Sequence, residues 1–200
     1  MRDSHILPLL IKISVTMRLT REVLRNAFIE ALKERNLKIY FQKNDFYILT
    51  NGDDHSRIVT VKLILSTMIN KEVLGSHNGN IVDGIGHFLF TFPKWEDKFN
   101  YYVFAFLNTA IREIEFVIVP DVVLRSRFQN QNRIPEGAKK AELTLWLMPD
   151  RKVYDCTDIS FEGEWYILSK GVGGRMADGS ELDFSSGLNN WSEYIDLISE

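Results

Sequence analysis

Asp45 and Lys62 are the residues whose types and spacing point most directly to chemistry. Both fall in the stretch Asn44 to Leu65, NDFYILTNGDDHSRIVTVKLIL, with Asp45 at the head of one expected strand and Lys62 inside the next. Neighbouring strands would bring a carboxylate able to ligate a divalent cation beside an ammonium able to polarise a phosphate. Side chains alternate across a strand, so Thr60 and Lys62 share one face while Val59, Val61, Leu63 and Leu65 share the other. The second set is a core face. A lysine in mid-strand among buried neighbours is costly without an acidic partner or a ligand. Lys62 is therefore expected either to form a structural salt bridge with Asp45 or to act on a substrate.

The elements that must position this pair are local and readable. From Thr20 to Arg35 the residues Val23, Leu24, Ala27, Phe28, Ala31 and Leu32 form one helical stripe, with Thr20 as N-cap and Asn36 at the exit. Three β-type runs follow, Leu37 to Gln42, Phe46 to Thr50 and Arg57 to Leu65, the last two joined by the turn formers Asn51-Gly52-Asp53-Asp54. Ser66 to Val73 suits a short helix or a continued strand, and Gly75 to Gly86 reads as an exposed loop. Further strands are expected over His87 to Phe92, Tyr101 to Leu107 and Glu115 to Val119; the last is apolar on both faces and therefore expected at the centre of a sheet. Asp121 to Phe128 suits a short helix. Beyond it, Glu142 to Met148, Lys152 to Tyr154 and Glu164 to Lys170 read as strands, Gly171 to Gly179 as a loop and Asn190 to Ile198 as a closing helix.

This succession of a helix, a strand pair bearing Asp45, an apolar strand containing Val61-Lys62, and then YYVFAFL and EFVIVP resembles the restriction-endonuclease-like superfamily, the PD-(D/E)xK nucleases. The resemblance spans roughly residues 20 to 128. It implies a mixed central sheet flanked by helices, Mg²⁺ or Mn²⁺ held by Asp45 and by an acid two residues before Lys62, and a lysine that orients the attacking water. Two carboxylates supply the charge and the oxygen ligands that a hard cation needs. The second acid is missing, because its position holds Thr60, whose hydroxyl is a weak metal ligand. Asp54, Glu30, Asp53 and Glu34 are the acids available to replace it, with Asp45, Asp54 and Glu30 as the candidate metal set.

The fold expected is one α/β domain over residues 1–200: an N-terminal extension over 1–19, the nuclease-like core over 20–140, and a β-rich C-terminal extension with its closing helix over 141–200, packed on that core. A hydrophobic content of 45% and a charged content of 26% are ordinary for a globular chain and argue against general disorder. The lone Cys156 cannot form an internal disulfide, and the apolar run Ile6 to Val15 is broken by Lys12 and too short to span a bilayer. A reducing, cytoplasmic setting and no membrane association are expected.

Charge is segregated along the chain: +4 over residues 17–43 and +3 over 121–140, against −7 over 150–200. Arg125, Arg127, Arg133 and Lys139, with Lys140, surround the amide-rich loop 129–132, a combination that can grip a phosphate backbone or serve only as a solvated loop. His77, Asp83 and His87 follow no defensible metal-ligand spacing. Gly171-Val172-Gly173-Gly174 lacks the Lys-Ser/Thr of a phosphate loop. Cys156 suits a small buried side chain, and Trp95, Trp146, Trp165 and Trp191 suit packing. Two functions are consistent with these features. One is a protein that acts on or binds DNA, either as a divergent Mg²⁺-dependent nuclease or as a descendant that has lost cleavage; the other is a non-enzymatic binding or assembly module with a protein partner or a second copy of itself.

Overall fold

The computed structural model describes residues 20–51, 54–67, 82–92, 99–131, 133, 140–157 and 182–192, the side chains of 51 and 54–57 excepted. Helix α1, Arg21–Glu34, opens it, with Thr20 capping the N-terminus through a hydrogen bond from the Val23 amide to its side chain. The cap and the apolar stripe fall where the sequence places them. The chain leaves α1 through Asn36 at φ 57°, a left-handed position that asparagine tolerates.

A mixed five-stranded sheet carries the fold, in the order β1 (Leu37–Lys43), β2 (Phe46–Asn51), β3 (Asp54–Leu65), β5 (Tyr101–Asn108) and β6 (Glu113–Pro120). The first three strands are an antiparallel meander, β3 and β5 are parallel, and β5 and β6 are antiparallel. A crossover joins the parallel pair. It contains β4, Gly84–Phe90, which joins β7 (Ala141–Leu147) and β8 (Val153–Asp155) in a second, three-stranded sheet. The C-terminal strands β7 and β8 thus complete a layer that β4 begins. Helix α2, Asp121–Asn130, follows β6 directly.

The alternation of the strands sorts the apolar side chains onto two faces. Val59, Val61, Leu63 and Leu65, with Tyr101, Val103 and Ala105 and with Ile114, Phe116 and Ile118, meet Leu24, Phe28 and Leu32 of α1. On the opposite face Ile64, Tyr102, Phe104, Phe106, Val117 and Val119 meet Phe88 and Phe90 of β4, Leu143 and Leu145 of β7, and Leu124 and Phe128 of α2. Trp191 packs in the first core and Trp146 and Cys156 in a small third cluster, so these three serve packing as expected.

Two expectations are corrected. Gly84 and Gly86, expected in an exposed loop, lie in β4: a Cβ on Gly84 would come within 2.7 Å of the Leu107 carbonyl oxygen, and one on Gly86 would meet the Phe88 ring and the Phe106 Cβ. Their small size lets the second sheet approach β5 closely. Strand β6 stands at the rim of the five-stranded order, although both its faces are buried, as its composition requires. Its outer edge is covered by the segment around the 3-10 turn Ser185–Gly187: Val117 bridges Leu188, and Asn189 N–H donates to the Phe116 carbonyl at 2.7 Å. A side chain on Gly187 would collide with the backbone carbonyl of Ile118. Gly187→Ala is accordingly expected to destabilise the fold by about 1–3 kcal/mol in urea unfolding, as overpacking against backbone does; an unchanged midpoint would contradict this close approach. The expected segments 164–170, 171–179 and the end of the closing helix lie outside the described residues.

Candidate functional site

The tip of the β1–β2 hairpin is the two-residue turn Asn44-Asp45, with Lys43 opposite Phe46. Both turn residues have positive φ, 50° and 60°, the signature of a type I′ turn whose twist matches the strands it joins. Asp45 therefore stands at a hairpin tip, where the sequence reading places it at the head of a strand. There it meets α1. Arg25 Nε donates to Asp45 Oδ1 at 2.6 Å and Nη2 donates to Oδ2 at 3.1 Å, a two-point fork that occupies both carboxylate oxygens. The hydrogen bonds that Arg25 donates to Asp45 raise its pKa against the opposing effect of burial. Beneath the pair lies Tyr47, fully buried and packed edge-on against Phe28 with centroids 5.0 Å apart. Burial, and then the charge of Asp45, push its phenol up to about 12.

Lys62 lies opposite Phe46 across β2 and β3 and beside Tyr102 across β3 and β5. Its Nζ donates to the Asn44 carbonyl oxygen at 2.6 Å, so its hydrogen bond is to the turn backbone while the salt bridge of Asp45 goes to Arg25. Burial lowers the pKa of Lys62, and the nearby Asp45 charge opposes that shift. The structure brings Asp45 and Lys62 to one end of the sheet, as expected, but shares neither the partner nor the geometry that the sequence suggested.

Thr60 is engaged by Asn100. Its Oγ1 donates to Asn100 Oδ1 at 2.9 Å, its backbone N–H donates to the same oxygen at 2.7 Å, and the Asn100 N–H lies 3.0 Å from Thr60 Oγ1. The hydroxyl is thereby spent on fastening the start of β5 to β3. Glu30 is exposed, pairs with Lys33 at 2.7 Å, and sits five residues past Arg25, about 7.5 Å along the helix axis. Asp54 is the first residue of β3, and its side chain, like Asp53, is outside the described residues. Among the described side chains, Mg²⁺ or Mn²⁺ at Asp45 would have to compete with the Arg25 guanidinium at both carboxylate oxygens, and the Thr60 hydroxyl is engaged by the Asn100 amide. Among the described residues no group of three His, Cys, Asp or Glu side chains is arranged to hold a metal ion.

The arginines around the amide-rich loop point inward. Arg125 forms a buried pair with Asp121, its Nε within 2.7 Å of Oδ2, and lies over the Phe92 ring at 5.0 Å. Arg127 donates to the Asp183 carbonyl at 2.7 Å and covers Phe184. Arg133 reaches Asp155, the Glu142 carbonyl and Thr157, and covers Phe128. These arginines fasten α2 to the second sheet and to the chain beyond it; Lys139 is outside the described residues. His87 is half-buried, its Nδ1 3.1 Å from Thr144 Oγ1 and its Nε2 3.6 Å from Glu142 Oε1. His77, Trp95, Trp165 and the 171–174 glycine run lie outside the described residues.

Arg25 and Asn100 are the residues that sequence reasoning missed. Arg25 belongs to the basic stretch 17–43, but nothing local in the sequence couples it to Asp45. Asn100 carries no local signal either, because the hydrogen bonds it makes span forty positions of chain.

No known family model, curated protein or solved structure matches this chain. No helix among the described residues is long and apolar enough to cross a membrane.

Proposed function

We propose that this chain is a nucleic-acid-directed binding protein on a restriction-endonuclease-like core, in which Arg25 takes the position against Asp45 that a divalent cation would hold. The observation that carries the reading is the two-point Arg25–Asp45 bridge. A guanidinium neutralises the carboxylate as a cation would, but it has no open coordination position and cannot activate a water. The order of a helix, an antiparallel meander and a mixed sheet supports the nuclease-like core. Support for nucleic acid comes from the charges at this end of the sheet. Lys43 and Lys62 flank Phe46, Arg21 lies one turn before Arg25 on the same side of α1, and the positive end of the α1 dipole lies close by.

Purified protein incubated with plasmid, single-stranded and branched DNA in Mg²⁺ or Mn²⁺ is expected to leave all of them intact. It is also expected to bind labelled oligonucleotide with an affinity that falls about tenfold or more between about 50 and about 200 mM salt, as phosphate contacts release counterions. Metal-dependent cutting that disappears in Lys62→Ala would overturn this reading in favour of an active nuclease.

A further inference from the structure

Among the described residues, the five-stranded sheet is covered unequally. On the face opposite α1, the second sheet and α2 bury the half formed by β5 and β6 and reach Ile64 of β3, but no side chain of β1 or β2 enters that core. The remaining half carries Phe41, Lys43, Phe46, Ile48, Ile58, Thr60 and Lys62, which the strand register sets on one face. Phe41 is 43% exposed and Ile58 55%, while Phe46, Ile48 and Lys62 are half-buried. Phe41, Phe46 and Phe99 form a ladder with successive centroids 6.1 and 5.3 Å apart, and Phe99 leads on to Tyr102. Lys43 and Lys62 stand on either side of Phe46 in one cross-strand row.

We infer that this open half-face binds single-stranded nucleic acid, its bases stacking on the Phe41–Phe46 ladder and its phosphates meeting Lys43 and Lys62. The inference rests on the nucleic-acid reading above and names the form of polymer. Exposed aromatic rings interleaved with lysines are the two elements of a sequence-tolerant single-strand site: each base offers a π-face, and the backbone offers charge. Lys62 suits the role. Its ammonium has three hydrogens, and the turn carbonyl accepts one of them. The charge on this face also selects the occupant. Among the described side chains of β1, β2 and β3 none is acidic. A second copy bound through the same patch would bring only further lysines, and no described strand carboxylate, to a face that already carries Lys43 and Lys62, so like charge disfavours it.

The test is fluorescence anisotropy of the full chain with a labelled oligothymidylate and with a duplex of equal length, backed by light scattering to read oligomeric state. Wild type is expected to bind the single strand about tenfold more tightly than the duplex. Phe41→Ala, at an exposed ring, is expected to weaken single-strand binding about tenfold. Lys43→Ala is expected to lower the salt slope by about 0.7. Ile58→Glu, which adds a carboxylate to the same face, is expected to weaken binding without changing the melting temperature. Binding to duplex and single strand alike, unaffected by Phe41→Ala, would overturn this inference while leaving the nucleic-acid reading intact. No binding to either polymer would remove both. A dimer that Phe41→Ala dissociates would overturn the inference in favour of a second copy as the occupant.

Discussion

Asp121→Ala is expected to cost about 3–5 kcal/mol of folding stability, read as a fall in the urea midpoint. Asp121 and Arg125 are one turn apart on α2, with side chains only 3% and 7% exposed, and the Arg125 Nε sits 2.9 and 2.7 Å from the two carboxylate oxygens. Truncating the acid takes the carboxylate away from a buried guanidinium that lies over Phe92, and removing one partner of a buried ion pair is the costly way to break it. Arg125→Met alone should cost about as much, because the buried carboxylate then loses its guanidinium. The double variant Asp121→Ala/Arg125→Met is expected to be more stable than either single variant by at least about 1 kcal/mol, since neither charge remains to be solvated. Additive losses in that cycle would show that the pair is not coupled. Tyr102 reports on the same locus: its hydroxyl is buried and its ionisation is pushed up by burial first and by the Asp121 charge second.

Glu115→Ala is expected to remove about 3 kcal/mol, and Glu115→Gln to change how stability depends on pH. Glu115 is 1% exposed at the β5–β6 end of the sheet, where it accepts hydrogen bonds from Asn108 at 3.1 Å, from Asn189, and from both terminal nitrogens of Arg151. Burial acts to raise its pKa, but those hydrogen bonds outweigh it and hold the carboxylate below its ordinary value of 4.5. A folded-state pKa below the unfolded one means that the folded state binds its proton less readily. The stabilisation is therefore complete above about pH 4.5, declines as the pH falls, and is gone once the pH is below the folded value. The stability gap between wild type and Glu115→Gln should accordingly be constant near neutrality and close on acidification. Arg151 remains about half-exposed and can return to water, so most of the loss comes from the stranded Asn108 and Asn189 amides and the displaced β6–turn junction. A gap that widens as the pH falls would contradict the assignment.

Legibility of the fold followed the range of the interactions. Helix α1 with its Thr20 cap, the β1–β3 meander, and strands β5 and β6 were readable because a stripe, an alternation or a turn is written within a dozen residues. The departure of β4 into a second sheet was not readable, because Gly84 and Gly86 look like turn formers until Leu107, Phe88 and Phe106 are beside them. The rim position of β6 was equally hidden. Its apolar faces report burial, not sheet order, and its edge is covered by residues some seventy positions later.

For the candidate site, the sequence by itself determined which side chains share a strand face: Thr60 with Lys62, and Val59, Val61 and Leu63 on the opposite, core face, because a period of two leaves no choice. It also determined that Asp45 and Lys62 would meet at one end of the sheet, since a hairpin of that length returns the chain to its start. Only the tertiary structure decided their partners. Arg25 reaches Asp45 across twenty residues and Asn100 reaches Thr60 across forty, because packing of α1 and the entry to β5 bring those groups within hydrogen-bonding distance. Polar partnership depends on ångström-scale placement between distant segments, whereas facing depends only on local backbone geometry.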